Sequence, residues 1–289
     1  MANSYRNTFL GVFLRILGLT AISIAAQSQY YYKDLLTVDQ INRNFRVYKE
    51  NKTNKVILKS YQGNVPVSEG FICEQTVDRT NNKLITFTKT ADAGESYFTS
   101  FYNKAGYLVK TIDSTNALVS ESVYQYDTAN RLYLLTHHSR AVDNSSSSVE
   151  SHRWEYNSNS KPVKMVRVKN GRDSTTFNFT QDERGNVAEE EPSARGALSG
   201  KYYYYYDTKN RLTDIVRFNA KAQRLLPDYI FEYEENGDLS TMMVVPEGSS
   251  DYQKWYYKYD EGGLKLIDFC YNKRNELQGK IEYQYTTGR

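Results

Sequence analysis

The 289-residue chain contains three histidines and two cysteines, so chemistry that needs imidazole or thiolate has few places to be. His137 and His138 are adjacent, which in a strand turns them to opposite faces. His152 lies beyond a Ser-rich stretch, Ser145–Ser148. A metal centre needs three or four ligands converging on one point, and this spacing predicts a polar hairpin tip instead. No CxxC joins Cys73 or Cys270, so neither zinc binding nor thiol exchange is indicated. The two thiols read as small buried hydrophobes, with a bridge tying the front of the chain to its back as the alternative. Glu189-Glu-Glu191 beside Pro192 offers half of a carboxylate pair for acid–base work, but no partner stands at a defined spacing. It reads as a solvated loop. No GxSxG, HExxH, P-loop or dinucleotide fingerprint is present. No catalytic residue, cofactor or metal is therefore assigned, and a non-enzyme is expected. The run Tyr202–Tyr206 puts tyrosine on both faces of one strand. Tyr203 and Tyr205 are expected to face outward and are the candidate ligand contacts, because exposed tyrosine buries area at low entropic cost.

Composition narrows the classes. Lys and Arg number 37 against 34 Asp and Glu, which lacks the basic surplus that displaces counterions from nucleic acid. A mean hydropathy of −0.70 argues against a helical membrane protein, and 27 tyrosines with five prolines favour strands. Residues 1–15 carry Arg6 and Arg15 and no acid, and Ile16–Ala26 is an apolar run ending in small side chains. That is the length of a signal-peptide core and too short to span a bilayer. Cleavage is expected between Ala25 and Ser28, giving an exported periplasmic or extracellular chain. No cysteine follows the run, so a lipoprotein is disfavoured.

Positioning elements follow. Thr37-x-x-Gln40 reads as a capping box, and Val38, Ile41, Phe45 and Tyr48 share one helical face. One amphipathic helix is predicted over 37–50, and strands from there to the end.

An internal repeat dominates the remainder. Tyr102, Tyr126, Tyr156, Phe179, Tyr206, Tyr233, Tyr259 and Tyr285 align. Two residues before them stand Ser100, Tyr124, Trp154, Phe177, Tyr204, Phe231, Tyr257 and Tyr283. The residues between are mostly polar, which is the alternation of strands with one aromatic and one wet face. Tyr126-Asp-Thr-Ala-Asn-Arg-Leu132 and Tyr206-Asp-Thr-Lys-Asn-Arg-Leu212 are near-identical copies. The Asp can accept backbone N–H groups as an Asx turn, and the Asn tolerates the positive φ of a tight hairpin.

Tyr-Asp-x-x-Asn-Arg-Leu in tandem resembles the YD repeat of RHS-type proteins, over roughly Tyr97 to Tyr285. In large members such repeats wind a β-sheet shell around a toxin. The expectation here is a short exported form, with too few repeats to close such a shell and without a toxin domain.

The two aromatic columns hold fifteen rings, roughly 2,000 Å² of apolar face that must be covered. The expected fold is mainly β: a long, curved antiparallel meander of hairpin repeats, half-barrel-like, with the helix in or near its mouth. Its parts are a signal peptide over 1–26, the helix and leading strands over 27–96, and the repeats over 97–289. The leading functional expectation is a non-enzymatic binding or scaffold module of the envelope, with a glycan or protein partner and no nucleic acid. The alternative is a periplasmic carrier of a lipid-like ligand, which a large unfilled groove would favour. An outer-membrane barrel is disfavoured because the return strands carry Lys110, Arg217 and Asp268 and the chain ends in Thr-Thr-Gly-Arg.

Overall fold

The computed structural model describes residues 30–67, 70–91, 93–193, 200–219, 222–246, 249 and 251–288. The expected export signal lies outside the described residues. A helix, α1 (Lys33–Glu50), comes first. The strands follow: β1 (Thr53–Gln62), β2 (Val65–Pro66), β3 (Ile72–Asp78), β4 (Lys83–Thr90), β5 (Gly94–Tyr102), β6 (Leu108–Thr115), β7 (Leu118–Tyr126), β8 (Leu132–Ala141), β9 (Ser147–Tyr156) and β10 (Pro162–Lys169). After them run β11 (Asp173–Gln181), β12 (Val187–Pro192), β13 (Tyr202–Tyr206), β14 (Leu212–Asn219), β15 (Arg224–Tyr233), β16 (Leu239–Val244), β17 (Gln253–Tyr259), β18 (Lys265–Asn272) and β19 (Leu277–Thr287).

From β3 to β19 each strand pairs antiparallel with the next, as Tyr124↔Leu135 and Trp255↔Cys270 illustrate. β1 pairs on one side with β3 and on the other with β19, in a register running from Val56↔Tyr285 to Gln62↔Gly279. The wall is therefore a closed barrel of eighteen strands, with β2 a two-residue side pair on β1. The open half-barrel expected from the sequence is overturned. Closure leaves no edge with unpaired N–H and C=O groups, but it depends on a register between the first and last strands that no local pattern encodes.

The repeat is a coupling device between neighbours. Asp127 Oδ1 accepts the N–H groups of Ala129 and Arg131, and its Oδ2 takes the Arg131 Nε at 2.7 Å. Asp207 does the same for Lys209 and Arg211. Asn130 and Asn210 hold φ near +60°, the left-handed conformation that Asn tolerates. The Tyr126 hydroxyl donates to the Leu108 carbonyl one hairpin back, Tyr156 to Leu132 and Tyr233 to Leu212, each at 2.7 Å. The Arg131 guanidinium stacks on the next unit's Tyr156 ring, and Arg211 on Tyr233. Tyr126, Tyr156 and Tyr233 thus bind the preceding hairpin, and Arg131 and Arg211 tie their own turn to the next one.

One unit differs from the aligned column. Gln181, not Phe179, occupies the tyrosine position, because Gln181 Nε2 makes the bond to the Pro162 carbonyl at 2.7 Å. Phe179 belongs two residues earlier, level with Trp154 and Tyr204.

The aromatic columns of the repeat point inward. Trp154, Phe179, Tyr204 and Trp255 are buried. The outer face carries the ion pairs Lys55–Glu74, Lys89–Glu95, Lys110–Glu121, Lys164–Glu155, Lys254–Glu232 and Lys280–Glu282. Of the three charges that argued against a lipid-facing band, only Lys110 lies outside. Arg217 shares its face with Tyr202, and Asp268 bonds the inward Tyr283.

The helix lies inside the barrel and starts earlier than the pattern predicts. Thr37 is within it, so the capping box is not used. The N-terminus is capped from across the molecule: the Glu190 carboxylate accepts the Tyr31 N–H at 2.6 Å and the Tyr32 N–H at 2.9 Å. No sequence window around residue 37 contains Glu190. The helix then crosses the end where the Asx turns lie. Asn42 Oδ1 accepts the Leu108 N–H, Phe45 stacks on Tyr102 at 3.7 Å, and Asn51 Nδ2 donates to the Gly262 carbonyl.

A candidate ligand-binding lumen

Eighteen strands enclose more space than one helix fills, since barrels of 16–18 strands leave a channel. On the side of β6 to β13 the helix and its lead-in close that space. Tyr31 packs on Phe177 and edge-on to His152, Tyr32 meets Tyr204 and Phe179, and Val38 and Phe45 complete a cluster with Leu132, Trp154 and Met165.

The acids and the histidine buried in this filled half have partners, although Trp154 Nε1 is buried without one among the described residues. His152 Nδ1 lies 2.6 Å from Asp34 on the helix and its Nε2 lies 2.9 Å from Glu150, which also accepts Arg167 Nε. Burial alone would lower the His152 pKa, but the flanking Asp34 and Glu150 carboxylates outweigh it and raise it to about 9. His152 is thus a charged strut between helix and wall, not part of a hairpin tip. His137 also points inward, bonded to Ser122 and Ser139, and burial lowers its pKa. His138 sits on the opposite face, opposite Glu121. Among the described residues no three His, Cys, Asp or Glu side chains are grouped to hold a metal ion.

The acid run is strand β12, not a solvated loop. Glu189 and Glu191 face out to Lys201, whereas Glu190 is fully buried. Burial drives its pKa up to about 7, against hydrogen bonds from Tyr204, Tyr32 and Tyr31 that pull it down. Alternation, read through the acids, was the signal: the middle of three acids in a strand must face inward.

The other half is open. A cavity of about 1490 Å³ runs from the helix toward the opposite rim. Tyr229, Phe231, Tyr233, Tyr257 and Tyr259 line it, with Met242 and Val244 between them. Six basic residues line it, Arg211, Lys273 and Arg274 near its ends and Arg43, Arg217 and Lys265 between them. The last three are already bonded, to Asp238, Asp228 and Asp268 respectively. Cys73 and Cys270 are buried and unbridged, in the cluster under this half.

Tyr203 and Tyr205, the candidate contacts from the sequence, lie on the outer wall. Tyr205 is 48 % exposed, and Tyr203 is covered by the Lys201 ammonium. Neither reaches the lumen.

No protein-family model matches the chain, and no curated protein does. Among solved structures it is similar to "Crystal Structure of TcdB2-TccC3-TEV", with TM-score 0.36 and 12% identity over 76% of this chain and 13% of that one. It is also similar to porin-like proteins from Bacteroides uniformis (TM-score 0.31, 8% identity, 81% of this chain and 98% of that one) and Bacteroides vulgatus (TM-score 0.31, 10% identity, 81% and 99%). The chain thus spans a small part of the first and nearly all of the others. At these scores the likenesses carry no functional argument.

Proposed function

We propose that the chain is an exported, non-enzymatic binding module of the cell envelope that holds its ligand inside the barrel, and that its hairpins are a short version of the YD repeat of RHS-type proteins. The open lumen is the observation that carries the reading: it is larger than the 300–1,000 Å³ typical of small-molecule pockets and bounded by aromatic rings. The Tyr126–Leu108 and Arg131–Tyr156 couplings support the repeat assignment. The outer ion pairs favour water around the barrel, because Lys or Arg on a lipid face costs about 2–4 kcal/mol at the bilayer midplane.

The test is native mass spectrometry of the chain from residue 27, exported and purified without detergent, beside Met242→Trp, whose larger ring would intrude on the lumen next to Phe231 and Tyr257. The expected result is a soluble protein carrying a non-covalent mass that Met242→Trp loses. A chain that needs detergent and carries no such mass overturns the reading.

A further inference from the structure

The open half contains one buried charge with an unused atom. Asp268 on β18 is 2 % exposed. Its Oδ2 accepts the Lys265 ammonium at 2.9 Å and the Tyr283 hydroxyl at 2.8 Å, while Oδ1 is buried with no hydrogen-bond partner among the described residues. A buried polar atom left unsatisfied is destabilising, so a donor that reaches it is favoured. Tyr48, Tyr257, Tyr259 and Tyr285 also line the lumen around this carboxylate. The Lys265 ammonium lies 4.2 Å from the Tyr257 ring centroid and is partly exposed. It lines the lumen beside Asp268.

The surrounding charges select among ligands. Arg43, Arg217 and Lys265 are neutralised by their own acids, and the further lumen-lining bases Lys273 and Arg274 lie in the turn after β18, so an ionised ligand placed beside Asp268 would find no free counter-charge there and would lose its hydration uncompensated. An acyl chain fails for the converse reason: it would bury these ion pairs against hydrocarbon and return none of their lost hydrogen bonds. What remains is a neutral ligand with apolar faces to lie on tyrosine rings and hydroxyl edges to donate.

We propose that the Asp268–Lys265–Tyr283 cluster and the rings of Tyr257 and Tyr259 form a subsite for a neutral oligosaccharide, one hydroxyl of which donates to Asp268 Oδ1. The cavity volume admits several linked rings rather than one. This inference rests on the lumen being the ligand site, and it narrows the carrier alternative by rejecting a lipid-like ligand.

The experiment titrates the mature chain calorimetrically with neutral hexasaccharides of glucose, N-acetylglucosamine and mannose, and separately with dodecanoate. The expected result is that one of the sugars binds at micromolar to millimolar affinity and dodecanoate does not. Asp268→Asn, which keeps the shape and loses the charge, and Tyr259→Leu, which keeps an apolar group and loses the ring, should each weaken that sugar at least tenfold with an unchanged far-UV spectrum. Wild-type affinity in both folded variants overturns the subsite. Binding of dodecanoate without any sugar overturns the ligand class and leaves the lumen reading standing. Binding of neither, to wild type or to the variants, overturns both.

Discussion

The two halves of the barrel are built from the same hairpin and differ in what their inner faces meet. On the side of β9 to β13, Trp154, Phe177, Phe179 and Tyr204 face the start of α1 and are sealed by Tyr31, Tyr32 and Val38. On the side of β15 to β18, rings in equivalent places, Phe231, Tyr233, Tyr257 and Tyr259, face the lumen. The repeat therefore specifies a wall, and the helix decides which part of the wall becomes core. The buried ionisable groups follow the same division. In the filled half Glu190 and His152 have every contact needed to fix the helix, whereas in the open half Asp268 keeps one oxygen unused.

The largest break in this comparison should come from removing the helix's main anchor. Phe45 is almost fully buried and stacked on Tyr102, so Phe45→Ala is expected to cost about 3–5 kcal/mol. Met242→Ala in the open half should cost about 1 kcal/mol or less, because the lumen already borders its side chain. Chemical denaturation measures both, and equal losses would remove the distinction between the halves.

A second effect is a pH dependence confined to the filled half. The Glu190 pKa rises on folding from 4.5 to about 7, so its contribution to stability is complete below pH 4.5 and is lost as pH rises through about 7. His152 is raised from 6.5 to about 9, so its contribution is complete below pH 6.5 and is lost through about 9. Wild-type melting temperature should therefore fall in two steps on going alkaline. Glu190→Gln should lose the lower step, worth up to about 3 kcal/mol, and keep the upper one. Thermal melts across that interval check it; an unchanged lower step would mean another group produces it.

A smaller effect sharpens the account of the wall itself. Tyr126→Phe removes only the hydroxyl bond to the Leu108 carbonyl and should cost about 1 kcal/mol. Lys164→Ala, which breaks an exposed outer pair with Glu155, should stay within about 0.5 kcal/mol. Denaturant midpoints should rank the two in that order.

Local features were legible in the sequence because their causes are local. The aromatic and wet faces follow from a period of two, and the Asx turns at Asp127 and Asp207 follow from side chains reaching two and four residues on. The helix start was not legible, because its cap is Glu190, 158 residues beyond Tyr32. Barrel closure was not legible because Val56 and Tyr285 meet only after every intervening hairpin is in place. Phe179 was assigned to the wrong column for a related reason: the amide of Gln181 replaces the phenol hydroxyl there, and composition gives no hint of that exchange. The candidate site was the least legible part. Asp268 and Lys265 look like ordinary strand charges until the barrel shows which face is inside, and Tyr203 and Tyr205 drew notice by type alone.

Thiol labelling at two methionines tests the central claim, one filled half and one open half, most directly. Met165 and Met242 both face inward, opposite Trp154 and Phe231, but Met165 is fully buried in the filled half and Met242 lines the lumen. With Cys73 and Cys270 replaced by alanine, Met165→Cys and Met242→Cys are exposed to a small thiol reagent under native conditions. The account predicts that Met242→Cys reacts at a rate approaching that of a free thiol, while Met165→Cys reacts only as fast as the protein unfolds. Equal protection of both would contradict it, because the lumen would then be closed to solvent and the two halves alike.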